Sequence, residues 1–331
     1  MKFGPVPTLQ AKGSILAHSI VCSGRRLRKG VMLEDAHIEQ LSASGITEVT
    51  VAQLQENDVH ENQAAAELAK ALVPDVRAAG LECTAAFTGR VNLVATGPGI
   101  VDIQADRLIA LNSIDPMISF ATVPNYQQMR TGRLVGTVKI ISYAVDAEKL
   151  RTACALGSAA IKILPPQLKT ASLVVSQNAN RNDEKGISAI KTRLDALGIT
   201  LEKVIATEHE IDPMAKALSS LKSELLLILT SSATSDPKDT APAAVRAAGG
   251  QVERFGIPVD PGNLLFLGHI RSRPVIGFPG CVRSPALNGA DWVLSQIACG
   301  VSLDENSFAQ MAIGGLLKEI PTRPQPRRPK K

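Results

Sequence analysis

The chain has 331 residues, of which 45% are hydrophobic and only 3% aromatic, and its formal net charge is +5. This length allows two domains, and a core poor in aromatic residues must be built from Ala, Val, Ile and Leu. Five basic residues within 321–331 account for the whole charge excess. A near-neutral body with few rings for base stacking predicts no nucleic-acid partner.

The five cysteines are widely scattered and form no Cys-x-x-Cys motif. This pattern argues against a disulfide framework and against structural zinc, and it favours a reducing cytoplasm. No run of about 18 apolar residues is present, which argues against a membrane span. Prolines and Lys12 interrupt the N-terminal segment where a signal peptide needs an apolar helix. We therefore expect a cytoplasmic protein with no membrane partner.

Residues 1–165 are predicted to form a smaller mixed α+β region. Helices are expected at 34–44 and at 58–72, the second capped by Asp58, with a strand at 47–52 between them. Residues 132–141 predict a strand or a hairpin in which Gly136 marks a bulge or a bend. Pro165-Pro166 is the clearest linker signal. The residues of this region predict no particular chemistry.

Residues 166–320 alternate strands and helices regularly. The pattern predicts three strands, a helix after each, a fourth strand, a hairpin and a last helix. Their ranges in chain order are 171–176, 187–197, 201–206, 212–221, 225–229, 242–248, 252–255, 264–278 and 285–299. This order predicts an α/β domain with a mostly parallel sheet and helices on both faces. The Pro-rich basic tail, 321–331, is predicted to be disordered.

A polar loop follows the wholly apolar strand 225–229. Its residues are rich in hydroxyl groups, and Asp239 stands near the start of the next predicted helix. Ligands of parallel α/β sheets bind outside the carboxyl ends of the strands. Hydroxyl donors with one carboxylate beside a helix N-terminus suit a phosphate and its metal ion.

A second Gly-rich loop spans residues 277–285, with the sequence GFPGCVRSP. Gly280 leaves backbone N–H groups accessible, and Ser284 is expected to cap a helix with Pro285 in its first position. A strand, a Gly-rich turn and a capped helix together form an anion site. For either loop alone, an ordinary turn with an ordinary cap is the simpler reading.

The order of these units resembles the molybdopterin-binding domain of molybdenum-cofactor biosynthesis proteins of the MogA and MoeA type. That family carries a Gly-Gly-Thr-Gly loop ending in Pro-Arg-Asp-x-Thr-Pro, and later a Leu-Pro-Gly-Asn-Pro loop. In this chain Ser231 and Ser232 replace the paired glycines, while Lys238 and Asp239 match Arg and Asp. The segment 278–280 matches Leu-Pro-Gly, and Cys281 replaces Asn. The resemblance covers residues 169–300.

The resemblance implies that this domain holds the pterin phosphate and dithiolene of molybdopterin. Asp239 would then be the catalytic, metal-binding carboxylate that places Mg²⁺ during adenylyl transfer from ATP or during molybdate insertion. It further implies a nucleotidyltransferase or molybdoenzyme partner and a homo-oligomer. The ligand contacts would come from Thr230, Ser231, Ser232, Ala233, Lys238, Gly280, Cys281 and Ser284.

Three other readings stay open. Serines at 231–232 lack the backbone freedom of glycine, which favours a non-catalytic cofactor carrier. A nucleotide pyrophosphatase-like hydrolase on a related domain is the second, and a plain oligomerisation module is the third. For Asp239 itself, the alternative role is a helix-start cap together with Thr240.

Overall fold

A computed structural model describes residues 1–22, 24–177 and 183–317, so the predicted tail lies outside the described residues. The chain divides into two compact units. The first consists of Met1–Gly97, Val101–Asn125 and Thr131–Ile163. The second contains Pro98–Ile100, Tyr126–Arg130 and the chain from Leu164 onward. In the part of the chain that the structure describes, no helix has the length and apolar character needed to cross a membrane.

Up to residue 164 the described chain forms short strands and four α-helices, with a 3-10 turn at Thr8–Gln10. The helices are α1 (Asp35–Ala43), α2 (Glu61–Leu72), α3 (Ala105–Asn112) and α4 (Ala147–Gly157). The strands are β1 (Lys2–Pro7), β2 (Ile15–Leu16), β3 (Ile20–Cys22), β4 (Arg25–Leu27), β5 (Glu48–Gln53), β6 (Asp58–His60), β7 (Leu81–Cys83), β8 (Arg90–Ala95), β9 (Gly99–Ile103), β10 (Ile118–Thr122), β11 (Gln128–Met129), β12 (Leu134–Ile140), β13 (Ala144–Asp146) and β14 (Ile161–Leu164).

Two sheets organise the first unit. One has the order β1-β5-β2, and its buried residues share a core with Ile38 and Leu41 of α1. The other has the order β10-β12-β8-β7, with α2 and α3 packed on it. The register of β12 shifts between Leu134 and Gly136, so the predicted bulge is confirmed.

The predicted cap of α2 is wrong. Asp58 lies in β6, where it pairs with β13, and its carboxylate meets the N-terminal ammonium group at 2.7 Å. The helix begins at Glu61, and the ring of His60 accepts a hydrogen bond from the Asn62 N–H at 3.3 Å. The sequence predicts residues 58–60 as the first turn of the helix, because a short polar strand shows no alternation of apolar and polar residues.

The second unit is built on a six-stranded sheet, and its α/β class is confirmed. The strand order is β16-β15-β17-β20-β19-β18. The first four strands run parallel to one another, β19 is antiparallel to β20, and β18 is antiparallel to β19. Its elements in chain order are β15 (Thr170–Gln177), α5 (Glu184–Asp195), β16 (Thr200–Glu208), α6 (Ile211–Ser220), β17 (Leu225–Leu229), α7 (Thr240–Ala247), β18 (Gly250–Phe255), β19 (Phe266–Ile270), β20 (Arg273–Phe278), a 3-10 turn (Gly280–Arg283), α8 (Gly289–Ala298) and α9 (Glu305–Gln310).

Neighbouring residues of β17 enter two different cores. Leu225, Leu227 and Leu229 belong to a cluster with α5 and α8, whereas Leu226 and Ile228 belong to a cluster with α6 and α7. All five side chains are fully buried. Helices therefore cover both faces of the sheet, which explains why this strand is an unbroken apolar run.

The predicted hairpin is formed by β19 and β20 and has a tight turn. Ile270 pairs with Arg273, so the turn contains only two residues, and Arg271 has a φ of 57°. Further along the pair, Phe266 lies opposite Gly277. A Cβ atom at Gly277 would lie 1.9 Å from the Phe266 ring, so only glycine fits beneath that ring.

Candidate functional site

The candidate site lies at the carboxyl edge of the six-stranded sheet, between β15 and β17. The helix that follows β15 covers one face of the sheet, and the helix that follows β17 covers the other. Because the connections after β15 and β17 leave on opposite faces of the sheet, a crevice opens outside the ends of these strands. Ligands of open α/β sheets bind in such a crevice. Because β15, β16, β17 and β20 are parallel, the segments that follow them emerge at this same edge.

Arg283 joins three of these segments. Its Nε donates to the Asp183 carboxylate at 3.1 and 2.9 Å, and its Nη2 also contacts that carboxylate. The same Nη2 donates to the Thr230 carbonyl at 2.7 Å. Asp183 is only 6% exposed, so this bidentate pair is geometrically fixed. The segments after β15, β17 and β20 thus meet at one guanidinium group, whose charge Asp183 balances.

Arg193 binds the backbone of the second loop. This residue of α5 is 9% exposed and donates to the Asp291 carboxylate at 2.6 Å. Its remaining N–H groups reach backbone carbonyls of the loop, at 2.9 Å for Val282, 2.8 Å for Ser284 and 3.2 Å for Ala286. A planar five-donor group suits several acceptors at once. The backbone of 282–286 is therefore anchored to α5 and α8.

A serine and histidine cluster lies beside the first loop. The ring of His209, which follows β16, contacts the Ser176 hydroxyl through Nδ1 at 2.8 Å and the Ser232 hydroxyl through Nε2 at 3.3 Å. The Ser231 N–H donates to the Ser176 hydroxyl at 3.1 Å. Ser176 is 1% exposed, whereas Ser232 is exposed. The cluster links the buried end of β15 to the loop surface.

The first loop contributes both buried and exposed groups. Thr230 is buried, and its hydroxyl donates to the Ser232 carbonyl at 2.5 Å, which tightens the turn. Ala233 and Lys238 are exposed, and the Lys238 N–H donates to Asp236 at 2.7 Å. Of the exposed polar groups in this loop, the Ser232 and Ser235 hydroxyls and the Lys238 side chain suit an anion, whereas the exposed Asp236 carboxylate does not.

Asp239 is the N-cap of α7. Its carboxylate accepts hydrogen bonds from the Thr240 N–H at 2.7 Å and from the Ser235 N–H at 3.0 Å. An ionised carboxylate has about four lone-pair sites, so two remain after these bonds. Within the described residues, no three His, Cys, Asp or Glu side chains are grouped so as to hold a metal ion. A cation at Asp239 would thus need oxygen ligands from a bound phosphate and from water.

The second loop differs from its prediction at the helix start. Helix α8 begins at Gly289, and Asn288 caps it in a reciprocal arrangement with Asp291. Ser284 instead accepts a hydrogen bond from the Ala286 N–H at 3.2 Å, so its predicted role as helix cap is wrong. Ser284 has extended backbone angles, as expected for a residue before proline, and the chain bends at residues 284–286 ahead of the helix.

Gly280 and Cys281 lie in the 3-10 turn that contains Arg283. Gly280 is exposed, and Cys281 is half-buried. The turn is drawn towards the first loop because Arg283 binds the Thr230 carbonyl. The structure therefore brings the predicted loops together through the Arg283 side chain of one and the Thr230 carbonyl of the other, with Ser232 and Gly280 as exposed members.

Sequence reasoning missed four residues that shape this edge, namely Ser176, Arg193, His209 and Arg283. Ser176 is the last residue of one predicted strand and His209 follows another, which is a usable signal for a place at the carboxyl edge. Arg193 gave no such signal, because a single arginine within an amphipathic helix is usually solvated.

The first unit contains an open cavity of about 410 Å³, lined by residues 12–13 and 32–36. Three charged side chains line it, all of them exposed: Glu34, and Lys12 and Asp35, which pair with each other at 2.7 Å. An exposed ion pair of this kind is solvated and recognises little. We therefore place the candidate site at the sheet edge of the second unit.

Comparison with known proteins gives a short family match and several structural likenesses. Residues 5–53 match a family described as a domain of unknown function, DUF8806. No curated protein matches the chain. The chain is similar to the molybdopterin biosynthesis MoeA protein from Pyrococcus horikosii at 13% identity and a TM-score of 0.30, over 93% of this chain and 76% of that one.

Two further likenesses are confined to about half of the chain. A molybdopterin biosynthesis protein from Mycobacterium abscessus is 13% identical over 45% of this chain and 98% of its own, with a TM-score of 0.29. A MogA structure is 20% identical over 45% of this chain and 99% of its own, with a TM-score of 0.27. What this chain binds must be inferred from its own residues at the sheet edge.

Proposed function

We propose that this protein binds molybdopterin at the carboxyl edge of its second unit and acts in the synthesis or handling of the molybdenum cofactor. The observation that carries the proposal is the joining of the two predicted loops by Arg283, which binds Asp183 and the Thr230 carbonyl. Loops that are far apart in sequence then border one crevice at the point where the sheet reverses its connections.

The chemistry of the exposed groups supports an oxyanion as the recognised part of the ligand. The Ser232 hydroxyl and the Lys238 ammonium group reach solvent beside the first loop, and the exposed Gly280 allows close approach of a ligand to the second. Charge-assisted hydrogen bonds from such donors are the stronger kind. Ser231, Ala233, Cys281 and Ser284 would complete the walls around the pterin and its dithiolene.

Asp239 supports a metal role only together with a bound phosphate. Two of its lone-pair sites already accept backbone N–H groups, and the other two remain for Mg²⁺. Mg²⁺ in phosphoryl-transfer sites is commonly held by one or two carboxylates plus substrate phosphates and water. In a turnover with Mg-ATP, the ion would neutralise charge on the transferred group while the capped helix holds the carboxylate in place.

The loss of the paired glycines favours binding over turnover. Serines at 231 and 232 restrict the backbone near a phosphate, and their hydroxyls add donors in compensation. We therefore propose a carrier that protects the pterin and passes it to a nucleotidyltransferase or a molybdoenzyme. Assembly as a homo-oligomer is part of the same proposal.

Thermal denaturation with added molybdopterin tests the binding proposal. A ligand that binds only the folded protein raises the melting temperature as its concentration increases. At a hundredfold excess over Kd, the free energy of unfolding rises by about 2.7 kcal/mol. Lys238→Gln should weaken the shift. Lys222→Gln is the matched control, because Lys222 is an exposed lysine that precedes β17 at the opposite edge. No shift with molybdopterin in the wild-type protein would refute the proposal.

Turnover of nucleotide separates the carrier from an enzyme. A carrier consumes no ATP in the presence of molybdopterin and Mg²⁺, whereas an adenylyltransferase releases pyrophosphate. If ATP is consumed, Asp239→Asn should abolish consumption while it keeps an oxygen acceptor for the cap. Release of AMP or pyrophosphate without any pterin would instead indicate a nucleotide pyrophosphatase-like hydrolase.

A further inference from the structure

A continuous chain of hydrogen bonds runs from the buried end of β15 to the exposed surface of the first loop. The Ser231 N–H donates to the Ser176 hydroxyl, which contacts His209 Nδ1 at 2.8 Å. On the other side of the ring, Nε2 lies 3.3 Å from the Ser232 hydroxyl. These bonds place the imidazole between a serine that is 1% exposed and one that is exposed.

Ser176 determines which groups in this series of hydrogen bonds donate and which accept. Its hydroxyl oxygen already accepts the Ser231 N–H, and its own proton needs an acceptor because a buried donor without one is costly. Among the described residues, the acceptor next to that hydroxyl is His209 Nδ1. The neutral imidazole therefore carries its proton on Nε2, since the two ring nitrogens have opposite roles.

A proton on Nε2 makes His209 a donor to the Ser232 oxygen. The hydroxyl proton of Ser232 is then free to point away from the ring, towards whatever binds at the loop. Each bond in such a chain polarises the next, which strengthens the last donor. With the opposite tautomer the ring would instead accept the Ser232 proton, as a general base does.

We propose that Ser176, His209 and Ser232 form a donor relay that presents the Ser232 hydroxyl to an oxyanion, such as the phosphate of the bound ligand. The inference rests on the proposed function and names the part of the ligand that the first loop recognises. Ser232 is the binding residue, and His209 is a positioning residue. The relay predicts that the position beside Ser232 accepts a phosphate oxygen and disfavours a cation.

The tautomer of His209 is the first test. NMR spectra of the ¹⁵N-labelled full chain, recorded through the two-bond couplings of the ring, distinguish protonated Nε2 from protonated Nδ1. Comparison with His209→Gln assigns the signal to this ring. Protonated Nε2 is expected, and in Ser176→Ala its share should fall towards that of a free histidine side chain, which itself favours the Nε2 proton. Protonated Nδ1 in the wild-type protein would overturn the relay.

Affinity measurements by calorimetry provide the second test. Loss of a hydrogen bond to a charged group should weaken molybdopterin binding by roughly tenfold or more in Ser232→Ala. Ser235→Ala is the matched control, since that exposed serine lies in the same loop and its hydroxyl donates to the Ala233 carbonyl at 3.4 Å, away from the His209 ring. Equal affinity of the two variants would contradict the proposal.

The positioning role of His209 is tested in combination with Ser232. His209→Gln should weaken binding by roughly threefold to tenfold on its own, and by little more when Ser232 is already alanine. His269→Gln controls for a histidine substitution elsewhere on the sheet, because His269 of β19 pairs with Glu253 of β18. An undiminished effect of His209→Gln in the Ser232→Ala background would show that His209 acts outside the relay.

The relay and the proposed function fail in different ways. If the wild-type protein does not bind molybdopterin, the proposed function is wrong, and the same variants are measured with inorganic pyrophosphate. Weaker binding of pyrophosphate by Ser232→Ala than by Ser235→Ala supports the relay on its own. Absence of this difference with both probes overturns it.

Discussion

Replacing Arg193 by methionine removes the group that anchors the second loop. The arginine is 9% exposed and binds the Asp291 carboxylate together with three loop carbonyls, at distances of 2.6–3.2 Å. Methionine keeps much of the aliphatic length and supplies no donor. The substitution therefore leaves Asp291 as a poorly exposed carboxylate without its partner.

The expected cost follows from the remaining contacts. Breaking a buried ion pair by removing one partner costs about 3–5 kcal/mol. Asp291 keeps the Asn288 N–H at 2.8 Å and its side chain is 14% exposed, so water and one donor still solvate it. We therefore expect a loss of about 3 kcal/mol in the free energy of unfolding, at the lower end of that range.

Urea unfolding followed by tryptophan fluorescence measures this loss directly. The chain has a single tryptophan, Trp292, which follows Asp291 in α8 and reports on the second unit. Arg193→Lys should lose about 1–2 kcal/mol, because an ammonium group keeps the charge but not the planar fork. Arg246→Met is the control, since its exposed guanidinium makes a bond to the Pro237 carbonyl at 2.8 Å. Equal stabilities of Arg193→Met and Arg246→Met would refute this reasoning.

Three further predictions concern packing and titration. Gly277→Ala should destabilise the second unit by about 1–3 kcal/mol, because the new methyl group would overlap the Phe266 ring, and a melting temperature within error of the wild-type value would contradict this. Burial raises the pKa of the Cys299 thiol to about 11, so iodoacetamide at pH 8 should label it slowly in the folded protein and rapidly in urea, as read by peptide mass spectrometry. Burial also raises the pKa of the Glu61 carboxyl above its ordinary 4.5, which favours the protonated form in the folded state. The resulting cost is present above the raised pKa and disappears below 4.5, so Glu61→Gln should stabilise the protein at pH 7 and have little effect at pH 4 in thermal melts.

The fold of the second unit was largely readable from sequence because its strands and helices carry strong periodic patterns. The strand 225–229 is predicted with the bounds that β17 has, since apolar residues define it from end to end. Helix α8 was misplaced by four residues at its start. Ser284 and Pro285 are residue types typical of a helix cap and a first helical position. The cap that forms is Asn288, which exchanges hydrogen bonds with Asp291, and the sequence alone does not show which of the two caps is the more stable.

The site was only partly predictable, because its geometry depends on long-range side-chain contacts. The two loops were identified from hydroxyl and glycine content after buried strands, which is local information. The pairing of Asp183 with Arg283 spans a sequence separation of 100 residues, and no local pattern announces it. No local pattern singles out His209, because its role depends on Ser176 and Ser232, which lie far away in sequence and on either side of its ring.

The two-sided burial of β17 also limits how the length of this chain can vary. A single inserted or deleted residue within Leu225–Leu229 would send each following side chain to the opposite layer. Leucines fitted between one pair of helices would then meet the other pair, and both layers would have to repack together. The polar segment beyond Thr230 has no such two-sided burial and is free of this constraint. The sequence of the loops at the carboxyl edge can therefore diverge while the length of β17 stays fixed.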